Sequence, residues 1–257
     1  MHTIDTHFVE ENTATFIGAV VRSIGIIDPT APVHVRTWPH AVTAVSGMKY
    51  PFNHIGGICD AESIAAIYAD FPAIDVPFVL ECAPDCHRAV DLIAFRSIGL
   101  APAARSAVML YDVNRHVPRP TRSNLVWSVN ADAEVSTDYI PSDAERVVRR
   151  AYAMQPDATF VSLLHSDGIL ARAGIRIVEG YAFCFGAWVA PHRRRRGHYA
   201  TLLDARLQYA QENGCHTVVL QAQQRSAVGV TAEERGFSFG WTRERWRAVH
   251  QHKRRVD

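Results

Sequence analysis

Residues 189–203 have the sequence VAPHRRRRGHYATLL, and this stretch decides the fold. Four consecutive arginines lead directly into Gly197, and an apolar helical stripe that includes Tyr199, Leu203 and Leu207 begins after the glycine. Unpaired backbone N–H groups collect at a helix N-terminus, where the macrodipole adds about half a positive charge. A strand that passes through a glycine turn into a helix therefore makes an anion site, and guanidinium groups suit phosphate. The stretch predicts a turn that binds a diphosphate rather than a solvated basic face.

Length and composition narrow the protein class. The chain has 257 residues, 48% of them hydrophobic, and a formal net charge of +1. These values predict one large or two ordinary domains with complete cores, and the near-zero net charge disfavours a general nucleic-acid binder. The N-terminus lacks the pattern of a signal peptide, and the longest apolar stretch, YAFCFGAWVA, is short for a spanning helix. We expect a cytoplasmic protein with neither a nucleic-acid nor a membrane partner.

The cysteines point to the same compartment. Their odd number and irregular spacing predict reduced thiols, and a metal site is not expected because no second cluster matches Cys82, Cys86 and His87. The five cysteines are Cys59, Cys82, Cys86, Cys184 and Cys215.

The order of elements suggests two similar halves joined by a linker at residues 112–124. The sequence of the first half predicts a helix at 59–71, a strand at 76–83, a helix at 86–100 and a strand at 105–113. The second half opens with a strand, and a helix follows whose Ser142 and Glu145 form a capping box. After this helix we expect two strands joined at residues 167–168, the strand before the arginines and the helix after them. A strand, a short helix and a last strand complete the second half. The ends of the halves echo each other, which suggests two copies of one fold.

The quoted stretch resembles motif A of the GCN5-related N-acetyltransferase (GNAT) family. Val189, Pro191, Arg194, Gly197 and Leu202 occupy positions of that motif. The sequence AEERGF at residues 232–237 is similar to the Gly-Phe ending of the family, and the likeness extends over about residues 125–250. The resemblance implies an α+β (mixed α/β) fold of two tandem GNAT-like domains, each a mostly antiparallel sheet flanked by helices. The expected domains are residues 1–118, a degenerate copy, and 119–257, the copy that binds acetyl-CoA.

The resemblance also implies how the cofactor would be held. Backbone N–H groups of residues 195–200 would cradle the pyrophosphate of coenzyme A, and the backbone of Trp188 and Val189 would hold the acyl and pantetheine part. Ser226 lies where the family often contacts pantetheine. The predicted cofactor-binding residues are Trp188, Val189, Arg194, Arg195, Arg196, Gly197, His198, Tyr199, Ala200 and Ser226.

The candidate catalytic residues are Glu179, Tyr181 and Ser226. Acyl transfer from a thioester to an amine needs a base for the ammonium, donors for the oxyanion and an acid for the leaving sulfur. Glu179 lies near where family members often place a base, although Gly180 after it also suits a solvated turn. Tyr181 and Tyr199 are alternative acids.

Two positions depart from the family pattern. Tyr199 occupies the usual Gly/Ala position, where its ring would crowd the phosphates or turn into the core; its place on the apolar stripe favours the core. Ala232 stands where many members carry the tyrosine that acts as general acid.

The first half has no Arg-x-x-Gly turn. Asp85 lies where the phosphate turn would be, so this half is not expected to bind the cofactor but to shape the acceptor cleft. Glu81 is the ionisable residue in an apolar strand. It would either bind the ammonium group of a substrate or be a carboxylate at a strand edge with no such role, and the second alternative is favoured.

These features predict an acetyl-CoA-dependent N-acetyltransferase that transfers directly to the amine of a small molecule, as a monomer or homodimer. An alternative is a catalytically inactive CoA-binding module, which Ala232 favours. A third alternative treats the arginines and the tail HKRRVD as a patch for nucleic acid or anionic membrane, and the balanced charge disfavours it.

Overall fold

The computed structural model describes residues 4–39, 41–57, 77–84, 95–96, 99–103, 105–115, 124–129, 141–166, 168–223 and 225–248. The chain forms two compact units, residues 1–106 with 241–257 and residues 107–240. The first unit therefore takes its last strand from the C-terminal end of the chain. The boundary predicted between residues 118 and 119 lies outside the described residues.

The first unit is a mostly antiparallel sheet with one long described helix. Its sheet order is β1-β2-β3-β4-β12, and β5 also pairs with β12. Among its described residues, the strand pairs are antiparallel except that of β3 with β4. The elements are α1 (Thr6–Ile27), β1 (His34–Trp38), β2 (Ala41–Val45), β3 (Asn53–Gly57), β4 (Val79–Cys82), β5 (Leu100–Pro102) and β12 (Ser238–Ala248). Only the part of β12 from residue 241 onward belongs to the first unit.

Helix α1 was not expected from the sequence. Asp5 caps it by accepting a hydrogen bond from the Phe8 N–H at 3.1 Å. Its apolar residues recur every three to four positions and pack on β2, where Val21 meets Val42 in one buried cluster. Burial of this face against β2 stabilises the helix.

The second unit is a sheet of order β6-β11-β10-β9-β8-β7. Strands β10 and β11 are parallel, and the pairs β10/β9, β9/β8 and β8/β7 are antiparallel. The elements are β6 (Ser106–Asp112), β7 (Leu125–Val129), α2 (Asp143–Ala153), β8 (Ala158–His165), β9 (Gly168–Val178), β10 (Tyr181–Val189), α3 (His198–Glu212), β11 (Thr217–Gln223) and α4 (Ala227–Glu234).

Most elements predicted for the second half are confirmed. The Ser142 hydroxyl accepts from the Glu145 N–H, and the Glu145 carboxylate accepts from the Ser142 N–H, which completes the predicted capping box. Leu203 and Leu207 of α3 are buried in the core that backs β10 and β11. Beyond the end of α3, Gly214 has a φ of +71°, a backbone conformation that favours glycine. The helices expected at residues 59–71 and 86–100 lie outside the described residues, except for 95–96 and 99–100.

A buried charge network lies in the first unit. The Arg243 Nε donates to both carboxylate oxygens of Glu10 at 2.8 Å, and both side chains are 2% exposed. Glu81 lies 2.9 Å from the Arg245 Nε and 3.0 Å from the His54 Nε2. Burial alone would raise the pKa of Glu81, but His54, Arg243 and Arg245 outweigh it and hold the pKa at about 2. The reading of Glu81 as a strand-edge carboxylate is wrong, because β4 has β3 and β12 on its two sides.

Candidate functional site

The arginine turn joins the end of β10 to the start of α3. Pro191–Arg193 form a single 3₁₀ turn, and two residues after it adopt left-handed backbone, Arg195 with a φ of +62° and Gly197 with a φ of +78°. A Cβ added at Gly197 would meet nothing within 4 Å. Glycine is therefore favoured there by its backbone conformation, and the space beside it is open.

The start of α3 presents backbone donors. Gly197 is the N-cap residue and supplies no side-chain cap, and the Thr201 N–H bonds the Gly197 carbonyl at 3.0 Å. The amides that precede Thr201 are those that a helix cannot pair internally. Arg194, Arg195 and Arg196 are exposed around them. Amide donors, the helix dipole and several guanidiniums thus meet at one exposed turn, and this combination suits a diphosphate.

Arg194 has a second contact that shapes the turn. Its Nε donates to the Val189 carbonyl at 3.3 Å, so that the side chain folds back onto the end of β10. This contact ties the last residue of the strand to the basic turn.

Tyr199 turns into the core. Its ring packs against the buried cluster behind β10 and β11, and the Arg206 Cζ lies 5.8 Å from its centroid. Burial raises the pKa of the Tyr199 hydroxyl, and the Arg206 guanidinium opposes this in part. The ring occupies the core side of α3, which is the alternative that the apolar stripe favoured.

Strands β10 and β11 separate halfway along. Their parallel pairing runs from Tyr181 with Thr217 to Cys184 with Leu220, and β10 continues to Val189. A bulge in the pairing of β10 with β9 follows between Phe185 and Trp188. Gly186 there has a φ of +56°, and Gly186 and Ala187 are exposed. Peptide groups of a strand point alternately to its two sides, so this stretch offers donors and acceptors on the side from which β11 has departed.

Glu179 and Tyr181 lie at the start of β10, at the opposite end of the strand from Val189 and the arginine turn. Glu179 has a φ of +48° and forms the turn between β9 and β10 with Gly180. Tyr181 begins β10 and packs edge-on against His216 at 4.6 Å between ring centroids. A nine-residue strand spans roughly 26 Å at about 3.3 Å per residue, and this length separates both residues from Val189. Their catalytic roles stay predictions.

Ser226 and Ala232 lie on α4. Ser226 is the N-cap residue, and its hydroxyl accepts from the Gly229 N–H at 3.2 Å. Its contact with pantetheine stays a prediction, and the capping bond leaves the hydroxyl proton for donation. Ala232 is fully buried in the core of the second unit, so no side chain on the family's tyrosine position reaches the opening.

A pocket beside the bulge was not foreseen from the sequence. It encloses about 410 Å³ of space between atoms, part of it open to solvent. Four elements supply its walls, which explains why no local sequence pattern marks it. The lining residues are Arg149, Tyr152, Phe160, Ile169, Arg172, Gly186 and Trp188.

A protein-family model described as "Acetyltransferase (GNAT) family" matches residues 127–237. The chain carries a GNAT domain. The predicted family is thereby confirmed, on nearly the stretch from which the resemblance was drawn. The arginine turn, the opening between β10 and β11 and the pocket all lie within this GNAT domain. No curated protein matches this sequence.

Solved structures share the fold along nearly the whole chain. A GCN5-related N-acetyltransferase from Kribbella flavida is 15% identical with a TM-score of 0.55, over 93% of this chain and 96% of that one. A tandem GNAT protein from the clavulanic acid biosynthesis pathway is 12% identical with a TM-score of 0.54, over 93% and 96%. A GCN5-related N-acetyltransferase from Sphaerobacter thermophilus is 14% identical with a TM-score of 0.52, over 91% and 90%. At these identities the likeness shows the fold alone.

The described residues contain neither a cluster of metal ligands nor a membrane-spanning helix. No group of three His, Cys, Asp or Glu side chains there is arranged to hold a metal ion. No helix in the described ranges has the length and apolar character needed to cross a membrane.

Proposed function

We propose that this protein is an acetyl-CoA-dependent N-acetyltransferase that transfers the acetyl group directly to the amine of a small molecule. The observation that carries the proposal is the course of β10. The half of β10 that no longer pairs with β11 lies beside an opening, and the strand runs through Val189 into the exposed arginine turn. An extended thioester cofactor with a diphosphate needs an opening for its thioester end and, farther along, an anion site for its diphosphate.

The residues present fit the cofactor. The amides around Gly197 and the exposed guanidiniums of Arg194, Arg195 and Arg196 would bind the pyrophosphate. The space beside Gly197, where a Cβ would meet nothing within 4 Å, supports close approach of a ligand to the backbone. The backbone of Trp188 and Val189 would hold the acyl and pantetheine part in the opening.

Acetyl-CoA, when bound, supplies an activated acyl group. The chain contributes orientation and electrostatics: backbone N–H groups at the bulge of β10 would stabilise negative charge that develops on the acyl oxygen. The usual tyrosine acid is replaced by the buried Ala232, so the side-chain acid of the family is not available from α4. A catalytically inactive CoA-binding module is the second candidate, and this alanine favours it.

We assign residues 1–118 the role of a degenerate GNAT-like copy that does not bind the cofactor. The likeness to a tandem GNAT protein over 93% of the chain supports this arrangement. Asp85, on which that expectation depends, lies outside the described residues. We further propose a cytoplasmic monomer or homodimer that needs no metal ion and has no nucleic-acid or membrane partner. The free thiols of Cys82, Cys184 and Cys215 support a reducing compartment.

The test has two measurements. Calorimetry with acetyl-CoA reports whether the site binds the cofactor, and release of free thiol from acetyl-CoA with a panel of amines reports transfer. Binding with transfer supports the enzyme, and binding with no transfer to any amine supports the inactive module. Absence of binding contradicts both.

A further inference from the structure

The pocket beside the bulge of β10 has a chemical character of its own. Arg149 of α2 and Arg172 of β9 contribute guanidinium groups to its wall, and none of the described residues that line it is a carboxylate. Two positive groups at a half-buried cavity create a potential that favours an anion, and the reduced dielectric strengthens it.

Aromatic rings hold both guanidiniums in place. The Arg149 Cζ lies 4.5 Å from the centroid of the Trp188 ring, and the Arg172 Cζ lies 4.1 Å from the centroid of the Phe160 ring. A guanidinium that lies over an aromatic ring is restrained by this contact. Its planar fork of donors matches the geometry of a carboxylate or phosphate.

The rest of the wall is apolar. Phe160, Ile169 and the ring of Trp188 line it together with Tyr152. The Tyr152 ring also packs at 5.2 Å between centroids on Phe185, the residue at which the bulge of β10 begins. A ligand held here would meet cations at one part of the cavity and rings at another.

We propose that this pocket selects an acceptor amine that also carries an anionic group, carboxylate or phosphate, next to an apolar portion. The inference rests on the proposed acetyl transfer and names its substrate class. Trp188 links the two sites, because it lines the pocket and belongs to the stretch of β10 assigned to the acyl group. An anion bound by Arg149 and Arg172 would therefore place the rest of the acceptor near the bulge.

The first experiment uses the wild-type protein and matched acceptor pairs. Phenylalanine is compared with phenylalaninamide, and O-phosphoethanolamine with ethanolamine, by thiol release from acetyl-CoA. We expect kcat/KM for the anionic member of one pair to exceed that of its neutral-ended partner by about tenfold or more. The pair that shows the preference tells carboxylate from phosphate. Equal kcat/KM within both pairs overturns the proposal.

The second experiment removes the cations one at a time. Arg149→Gln and Arg172→Gln should each raise the KM for the preferred anionic acceptor by about tenfold and leave the KM for its neutral partner and for acetyl-CoA unchanged. Arg150→Gln is the matched control, because Arg150 is an exposed arginine on the same helix. Thermal unfolding checks that each variant folds; if one does not, the wild-type comparison of acceptor pairs decides alone.

Calorimetry separates this inference from the proposed function. The anionic acceptors are titrated into protein saturated with coenzyme A, with no reaction required. Anionic acceptors that bind without being acetylated contradict the transferase and support the pocket. Acetylation without preference for an anionic group supports the transferase and overturns the pocket, and failure of the anionic acceptors to bind overturns it as well.

Discussion

Cys184 and Leu220 are the last paired residues of the parallel strands β10 and β11. Beyond them β10 bulges, continues to Val189 and enters the arginine turn, while β11 runs on separately to Gln223. Parallel neighbours normally bond along their shared length, so the early end of this pairing leaves backbone groups for a ligand. The assignment of the cofactor site depends on this pair and on the turn that follows.

The turn can be tested at its glycine. Gly197→Glu should weaken acetyl-CoA binding by about tenfold or more, because it adds a negative charge at the helix N-terminus where the pyrophosphate would bind. Calorimetry measures the affinity, and Arg194→Ala in addition should weaken it further.

Gly214→Glu is the matched control for this substitution. Gly214 lies beyond the other end of the same helix, has a φ of +71° and also has nothing within 4 Å of an added Cβ. The two variants therefore carry similar backbone strain and the same added charge. Equal loss of affinity in both would show that strain, not the diphosphate site, accounts for the effect.

The substitution Glu179→Gln tests whether Glu179 is the general base that the family resemblance suggested. The length of β10 separates Glu179 from Val189, so Glu179→Gln should leave kcat/KM within about twofold of wild type at every pH. The measurement is the pH profile of thiol release with a fixed amine. A selective loss of turnover at low pH would instead support the original role as general base.

The substitution Ala232→Tyr tests whether the general acid that many family members carry at this position can be restored. Ala232 is fully buried in the second-unit core, so Ala232→Tyr should overpack it and reduce the free energy of unfolding by about 1–3 kcal/mol. We expect no gain in turnover, because a ring at this site displaces core residues before its hydroxyl reaches the opening. Urea unfolding and thiol release measure the two effects, and a stable variant with raised turnover would contradict the expectation.

Glu81 should make stability depend on acid pH. Burial raises its pKa, but His54, Arg243 and Arg245 hold the folded-state pKa at about 2, below the ordinary 4.5. A carboxyl with a depressed folded-state pKa contributes stability above its unfolded-state pKa, and this contribution is lost as pH falls from about 4.5 towards about 2. Wild type should lose stability in that window, as followed by the thermal midpoint.

The matched variant for this prediction is Glu81→Gln, which removes the titrating group. Its thermal midpoint should be lower at neutral pH, since Arg245 loses a carboxylate 2.9 Å away, and should vary less between about pH 4.5 and 2. An equally steep acid decline in both proteins would assign the acid sensitivity to other carboxyls.

Local patterns in the sequence determined the GNAT motif, the Ser142 capping box and the succession of helices and strands along the second half, because each depends on spacing along the chain. The glycine at 197 and the apolar stripe after it were sufficient to predict the exposed turn and the helix behind it. The burial of Tyr199 also followed from its place on that stripe.

Tertiary structure alone decided the rest. The distance of Glu179 from Val189 follows from the length of β10, and Glu81 is buried because β12 arrives from more than 150 positions away to pair with β4. Arg149 and Arg172 meet at one pocket only after α2 packs on the sheet. Contacts between distant segments leave no local spacing in the sequence, and for that reason the pocket and the buried charges could not be predicted from it.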